Sequence, residues 1–185
     1  HISYHNSGLK YAHFDGSQWH IKTVDSARNL DRYTSLALDA AGRPHISYYS
    51  NYNLKYARFD GSQWYIETVD SARYTGQYTS LALDAARRPH ISYHDATNNN
   101  LKYAHFDSSQ WYTEMVDLAF RWGGTSLALD ANGRPHISYY DATNGGLKYA
   151  RFDGSRWYIE MVDSAECVGQ YTSLALDANG RPHIS

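Results

Sequence analysis

The chain has 185 residues, 42% hydrophobic and 15% aromatic, which is enough apolar material for a packed core and excludes an intrinsically disordered polypeptide. Its formal net charge is −2, with Lys and Arg spread along the chain instead of gathered in runs, so the basic footprint of a nucleic-acid binder is missing. No apolar run approaches the roughly 18 residues of a membrane span and no basic leader precedes an apolar stretch, so no membrane insertion is expected.

The chain opens on "HIS", which recurs at His45, His90, His136 and His183, in steps of 44, 45, 46 and 47 residues. Next come "LKYA" from Leu9, Leu54, Leu101 and Leu147, a run opened by Trp19, Trp64, Trp111 or Trp157, and "TSLALDA" from Thr34, Thr79, Thr125 and Thr172. Each run is short, bounded by turn formers and rich in Tyr, Ile, Val and Trp. In the last, Leu174 and Leu176 face one way and Ser173, Ala175 and Asp177 the other. We name these strands B, C, D and A, with A innermost. Four strands about every 46 residues predict an all-β protein, a β-propeller of four four-stranded blades in one domain. The repeats fall at about 1–44, 45–89, 90–135 and 136–182, with 183–185 beginning a further copy. An all-β solenoid is the alternative. Because the chain starts in strand B and reaches a last strand A, that inner strand is expected to close the ring by completing the N-terminal blade, which leaves no exposed edge. The final "HIS" overshoots such a ring, so an array, a ring shared between two chains, or a head-to-tail assembly is the competing expectation.

Two connections have constant length: the A-to-B turn ("DAAGRP", "DAARRP", "DANGRP", "DANGRP") and the C-to-D turn ("DGSQW", "DGSQW", "DSSQW", "DGSRW"). The B-to-C step grows through 5, 6, 8 and 8 residues, and the D-to-A step runs 9, 9, 8 and 9. One face of the blades is therefore uniform and the other varied, and binding is expected on the varied BC/DA face. The candidate ligand residues there are Phe120, Arg121 and Trp122 in the third DA loop, Asp95, Asn98, Asp141 and Asn144 in the BC loops, and Tyr74 and Arg32 in other DA loops. Aromatic and Arg side chains suit sugar stacking or protein contact.

The repeated histidine tempts a metal or catalytic reading, but equivalent residues on separate blades are too far apart to share one ion. A hydrogen-bonded network of His, the Ser two residues on, the C-strand Asp and the Trp inside each blade is expected instead. In "DANGRP", Gly42, Gly133 and Gly180 are expected at positive φ, and Arg87 takes that place in the second turn at a strain of roughly 1–2 kcal/mol. Ligand binding by this turn is not expected. The loops from Asp95 and Asp141 lack the closing Glu of a calcium loop and read as Asx turns, so no metal and no cofactor is expected. Catalysis needs distinct acid and base roles; only Asp31 and Glu166 break the repeat as carboxylates, and no catalytic residue is assigned. Arg28 with Arg32 and the lone Cys167 also break it. After "HISY" the chain has His5, Tyr49, His94 and Tyr140, and after "LKYA" His13, Arg58, His105 and Arg151, an alternation that suggests duplication of a two-blade unit.

The repeat "TSLALDANGRPHISYYDATNGGLKYARFDGSRWYIEMVDS" resembles the tandem repeats of bacterial and archaeal propellers loosely grouped with sialidase-like or lectin-like propellers. That resemblance implies an extracellular or cell-surface location. A non-enzymatic module binding glycan or protein is the leading functional expectation. A self-assembling structural repeat, as homo-oligomer or filament, is the second, and a carbohydrate-active enzyme the third.

Overall fold

The computed structural model describes residues 1–27, 30–118, 123–165 and 168–185, with the side chains of all of these except 30–32. The described residues form seventeen strands and no helix. The first sheet holds β1 (Ile2–His5), β2 (Leu9–Phe14) and β3 (Trp19–Asp25). The second runs β4 (Leu30–Leu38), β5 (Pro44–Ser50), β6 (Asn53–Phe59) and β7 (Trp64–Asp70), and the third β8 (Thr75–Leu83), β9 (Pro89–Asp95), β10 (Asn100–Phe106) and β11 (Trp111–Leu118). The fourth consists of β12 (Thr125–Leu129), β13 (Pro135–Asp141), β14 (Gly146–Phe152) and β15 (Trp157–Asp163), and the fifth of β16 (Leu174–Leu176) and β17 (Pro182–Ile184). All pairings are antiparallel between chain neighbours, so every predicted B, C, D and A run is a strand in meander order.

Successive sheets pack face to face through their A and B strands. The B strands β5, β9 and β13 are buried at every position, because each has a strand on both sides and a sheet against both faces. Their polar side chains are therefore paired, although not as the sequence suggested. The His shares a hydrogen bond with the C-strand Tyr of its own sheet (His45 with Tyr56, His90 with Tyr103, His136 with Tyr149). The Ser reaches the A-strand Thr of the following sheet: Ser3 to Thr34, Ser47 to Thr79 and Ser92 to Thr125 at 2.7 Å, and Ser138 to Thr172 at 2.8 Å. The expected partner Asp60 instead folds back on its own turn, accepting from the Ser62 and Gln63 backbone N–H groups. The network thus joins sheets as well as strands. A-strand serines extend it: Ser35, Ser80 and Ser126 each accept the backbone N–H of a leucine on the next inner strand, at 2.9 to 3.0 Å.

The Asp ending each D strand ties the opposite end of the blades. Asp70 accepts from the Tyr93 hydroxyl at 2.8 Å and from Lys102, both on the following sheet, and Asp117 likewise receives Tyr139 and Lys148 at 2.6 and 2.9 Å.

Among the described residues the first sheet has three strands, with no A strand paired to it. β16 pairs with β17, with Ser173 and Ser185 exchanging two backbone hydrogen bonds of 2.9 and 3.0 Å, so its edge is taken by the adjacent strand instead of by β1. β1 pairs with β2.

Candidate functional site

Between consecutive sheets the AB/CD face opens into clefts built from equivalent positions. The first, about 210 Å³, lies between the first and second sheets and is lined by His1, Tyr11, His13 and Lys22 on one wall and Arg43, Phe59 and Trp64 on the other. The second, about 420 Å³, has His45, Tyr56, Arg58 and Glu67 facing Arg87, Arg88 and Phe106. The third, about 440 Å³, has His90, Tyr103, His105 and Glu114 facing Arg134, Pro135 and Phe152. The second and third fall within the range usual for small-molecule sites, roughly 300–1,000 Å³.

Strand geometry accounts for the composition. Alternation on the C strand puts Tyr56 and Arg58 on the same face, toward the next sheet, and the short AB turn of that sheet brings its Arg and Pro to the opposite rim. The floor of each cleft carries a tyrosine, Tyr11, Tyr56 or Tyr103, which a tryptophan of the next sheet, Trp64, Trp111 or Trp157, backs edge to face at 5.3 to 5.6 Å between centroids. In the second cleft the Trp111 indole N–H donates to Glu67 at 2.9 Å. Lys22 replaces that glutamate in the first cleft, where the Trp64 N–H is buried with no hydrogen-bond partner.

The rim charges are held by turn chemistry. Asp39, its side chain 1% exposed, accepts from the backbone of Ala41 and Arg43 and pairs with the Arg43 guanidinium at 2.7 Å. Burial alone would raise its pKa, but these donors outweigh it and hold it down at about 2. Arg88 pairs with Asp84 at 2.6 Å in the same way. Arg58 lies over the Tyr65 ring at 4.6 Å. Burial depresses the pKa values of His45, His136 and His90, that of His90 to about 4, so these rings are neutral at physiological pH. Burial likewise pushes the partner hydroxyls Tyr56 and Tyr103 up, which keeps them protonated.

Two turn residues set the second cleft apart. The AB turns carry Gly42, Gly133 and Gly180 at φ of 73° to 75°, as expected, and Arg87 takes the equivalent place at 64°. In the CD turns Gly16, Gly61 and Gly154 sit at 102° to 110°, and Ser108 at 90°. Both exceptions line the second cleft, and each left-handed non-glycine residue costs on the order of 1–3 kcal/mol.

The residues singled out in the sequence lie elsewhere. Asp95 and Asp141 form the Asx turns anticipated for their loops, accepting from the backbone of Thr97 and Asn98 and of Thr143 and Asn144, and from the Asn98 and Asn144 side-chain amides at 2.9 and 2.8 Å. Lys148 also pairs with Asp141 at 2.7 Å. Tyr74 stands on the BC/DA face, its ring against Tyr52 with the Arg73 guanidinium over both at 4.9 and 5.3 Å. Phe120, Arg121 and Trp122, the Arg32 side chain, and Arg28, Glu166, Cys167 and the Asp31 side chain lie outside the described residues. Among the described residues no three His, Cys, Asp or Glu side chains are grouped as a metal site would require.

The architecture has clear counterparts. A variant of the Aleuria aurantia lectin, solved with Fucα1-6GlcNAc, superposes with a TM-score of 0.65 at 14% identity over 96% of this chain and 63% of its own. AofleA from Arthrobotrys oligospora follows at 0.61, with 11% identity over 96% and 71% of the two chains. The NanB sialidase of Streptococcus pneumoniae gives 0.58, with 13% identity over 91% and 30%. The fold is a tandem-repeat β-propeller, like that of lectins and sialidases. No family model matches the propeller, and no curated protein matches it. The chain spans less than two thirds of the length of the Aleuria lectin.

The clefts were hidden from sequence reading because their walls come from different repeats. Constant turn length suggested a passive face, yet that constancy is also what reproduces one cleft three times. Arg87 and Ser108, non-glycine residues at glycine positions, were the available signal.

Proposed function

We propose that this propeller binds carbohydrate without turning it over, through the clefts between consecutive sheets. The observation that carries this reading is repetition: one aromatic floor, one His–Tyr pair and one Arg-bearing rim recur in the first three clefts. A saccharide presents apolar C–H faces to rings and hydroxyl pairs to Arg and carboxylate groups, and the clefts offer both. An enzyme concentrates distinct acid and base roles in one place, whereas near-equivalent clefts suit multivalent binding. The lectin-like fold supports the reading by analogy, and an extracellular location fits it. Closure as a four-bladed ring stays part of the proposal: light scattering near 21 kDa for the chain supports it, and a dimer replaces it with a ring shared between chains.

Calorimetric titration with fucosylated and other neutral oligosaccharides tests the binding. Saturable binding with no release of reducing ends is expected, and a Glu114→Gln, Arg134→Ala variant should lose the sites of the third cleft while keeping the others. A second reading, protein contact through the BC/DA face, draws on the exposed Tyr52, Arg73 and Tyr74 cluster, in which both tyrosines sit at positive φ, and on Asp95, Asn98, Asp141, Asn144 and the 120–122 loop. Binding lost in Tyr74→Ala and untouched by the cleft variants would favour it.

A further inference from the structure

Relative to the third cleft, the second exchanges His105 for Arg58 and Gly133 for Arg87, a gain of two guanidinium groups on an otherwise matching frame. Arg43 and Arg88 are engaged by Asp39 and Asp84 at 2.7 and 2.6 Å. Arg58 instead rests on a ring, and Arg87, with its side chain 59% exposed, comes no nearer a carboxylate than 3.9 Å, to an Asp39 that Arg43 already holds. Three carboxylates line the cleft and each is already engaged: Asp39 by Arg43, Asp60 by the backbone N–H groups of Ser62 and Gln63, and Glu67 by the Trp111 indole. The first cleft raises its charge by another route, with Lys22 in the place of Glu67 and glycine kept at both turn positions.

The backbone adds an independent observation. Arg87 and Ser108 occupy positions where the other copies place glycine, both at positive φ, and both lie on the wall that the third sheet gives this one cleft. Other non-glycine residues at positive φ, such as Asn99 and Tyr74, lie on the varied BC/DA face, whereas Arg87 and Ser108 bring a cation and a hydroxyl donor together at one rim of the uniform face. Left-handed non-glycine residues cluster at ligand clamps, and these two stand at the mouth of a cleft.

We propose that the second cleft is specialised for an anionic saccharide, a sugar bearing a carboxylate or sulfate group, which Arg58 and Arg87 receive as planar hydrogen-bonding cations and Ser108 as a hydroxyl donor. The forked guanidinium matches the paired oxygens of either group. This rests on the carbohydrate-binding reading above and adds a ligand class to one of its sites.

The test is calorimetric titration at low ionic strength, where rim charges are least screened, with an oligogalacturonate, its fully methyl-esterified form, a sulfated oligosaccharide and inorganic sulfate. The free acid should bind at least about ten-fold tighter than the ester. Arg87→Gly, which restores the turn of the other repeats and so keeps the fold, should remove most of that preference, with Ser108→Gly as a second variant. Preference for galacturonate over the sulfated sugar, or the reverse, identifies the anionic group. Inorganic sulfate binding as tightly as either sugar would overturn the saccharide assignment. Neutral saccharides binding with no discrimination by charge would overturn the proposal and leave carbohydrate binding standing. Absence of binding by every saccharide would overturn both.

Discussion

Arg87 illustrates how one residue can couple stability to function. Its φ of 64° places a Cβ in the left-handed region that Gly42, Gly133 and Gly180 occupy without penalty. Arg87→Gly is therefore expected to raise unfolding stability by about 1 kcal/mol in urea melts, the relief of strain being partly offset by the freer unfolded chain. A loss of stability would mean that the 3.9 Å approach to Asp39 matters more than the backbone. The cleft histidines predict a pH dependence. Burial holds His90 at about 4, against about 6.5 in the unfolded chain, so the unfolded state takes up the proton first as pH falls. The associated stability is complete above pH 6.5, declines down to pH 4 and is then exhausted, a loss on the order of 3 kcal/mol. His45 and His136 shift in the same direction and steepen the slope. Urea melts from pH 8 to pH 4 should show this decline, and His90→Gln should flatten it; an unchanged slope in the variant would place the titration elsewhere.

At the level of elements, each strand was legible and its partner in the next sheet was not. Period-two alternation with flanking turn formers marks "HISYY" and "LKYA" as strands, because side-chain direction there follows from local geometry. Nothing local says that Ser92 will meet Thr125, 33 residues later on another sheet, since that contact exists only after the sheets stack. Thr125 donates to the Tyr78 carbonyl at 3.2 Å, so Ser92 is the donor of the bond between the two hydroxyls. Ser92 has no exposed surface, and its removal leaves Thr125 short of one partner in a buried interface. Ser92→Ala is expected to cost about 1–3 kcal/mol in urea melts. The pair Ser92→Ala with Thr125→Val should cost less than the sum of the single changes, because no half-satisfied hydroxyl remains. Additive costs in that cycle would show that the bond between sheets contributes little beyond packing.

For the whole molecule, repeat number and strand order could be read from the sequence, whereas ring closure could not. β1 and β17 derive from the same "HIS" motif, so sequence gives β16 two equivalent partners, and the structure takes the one joined by a short AB turn, whose loop-closure cost is small. The same reuse of one module has a functional consequence that a single-site protein would not share. Three clefts with a common floor and different rims predict more than one saccharide bound per chain, in at least two affinity classes once the ligand carries charge. Calorimetry with a neutral monovalent sugar should therefore give a stoichiometry well above one. Coupling that sugar to a polymer should tighten apparent binding by roughly 10²–10⁴-fold, because the second contact is made at the high effective concentration set by the linker. A stoichiometry of one, with no gain from the polymer, would mean that the repeated clefts are by-products of blade packing and that recognition is confined to a single asymmetric site.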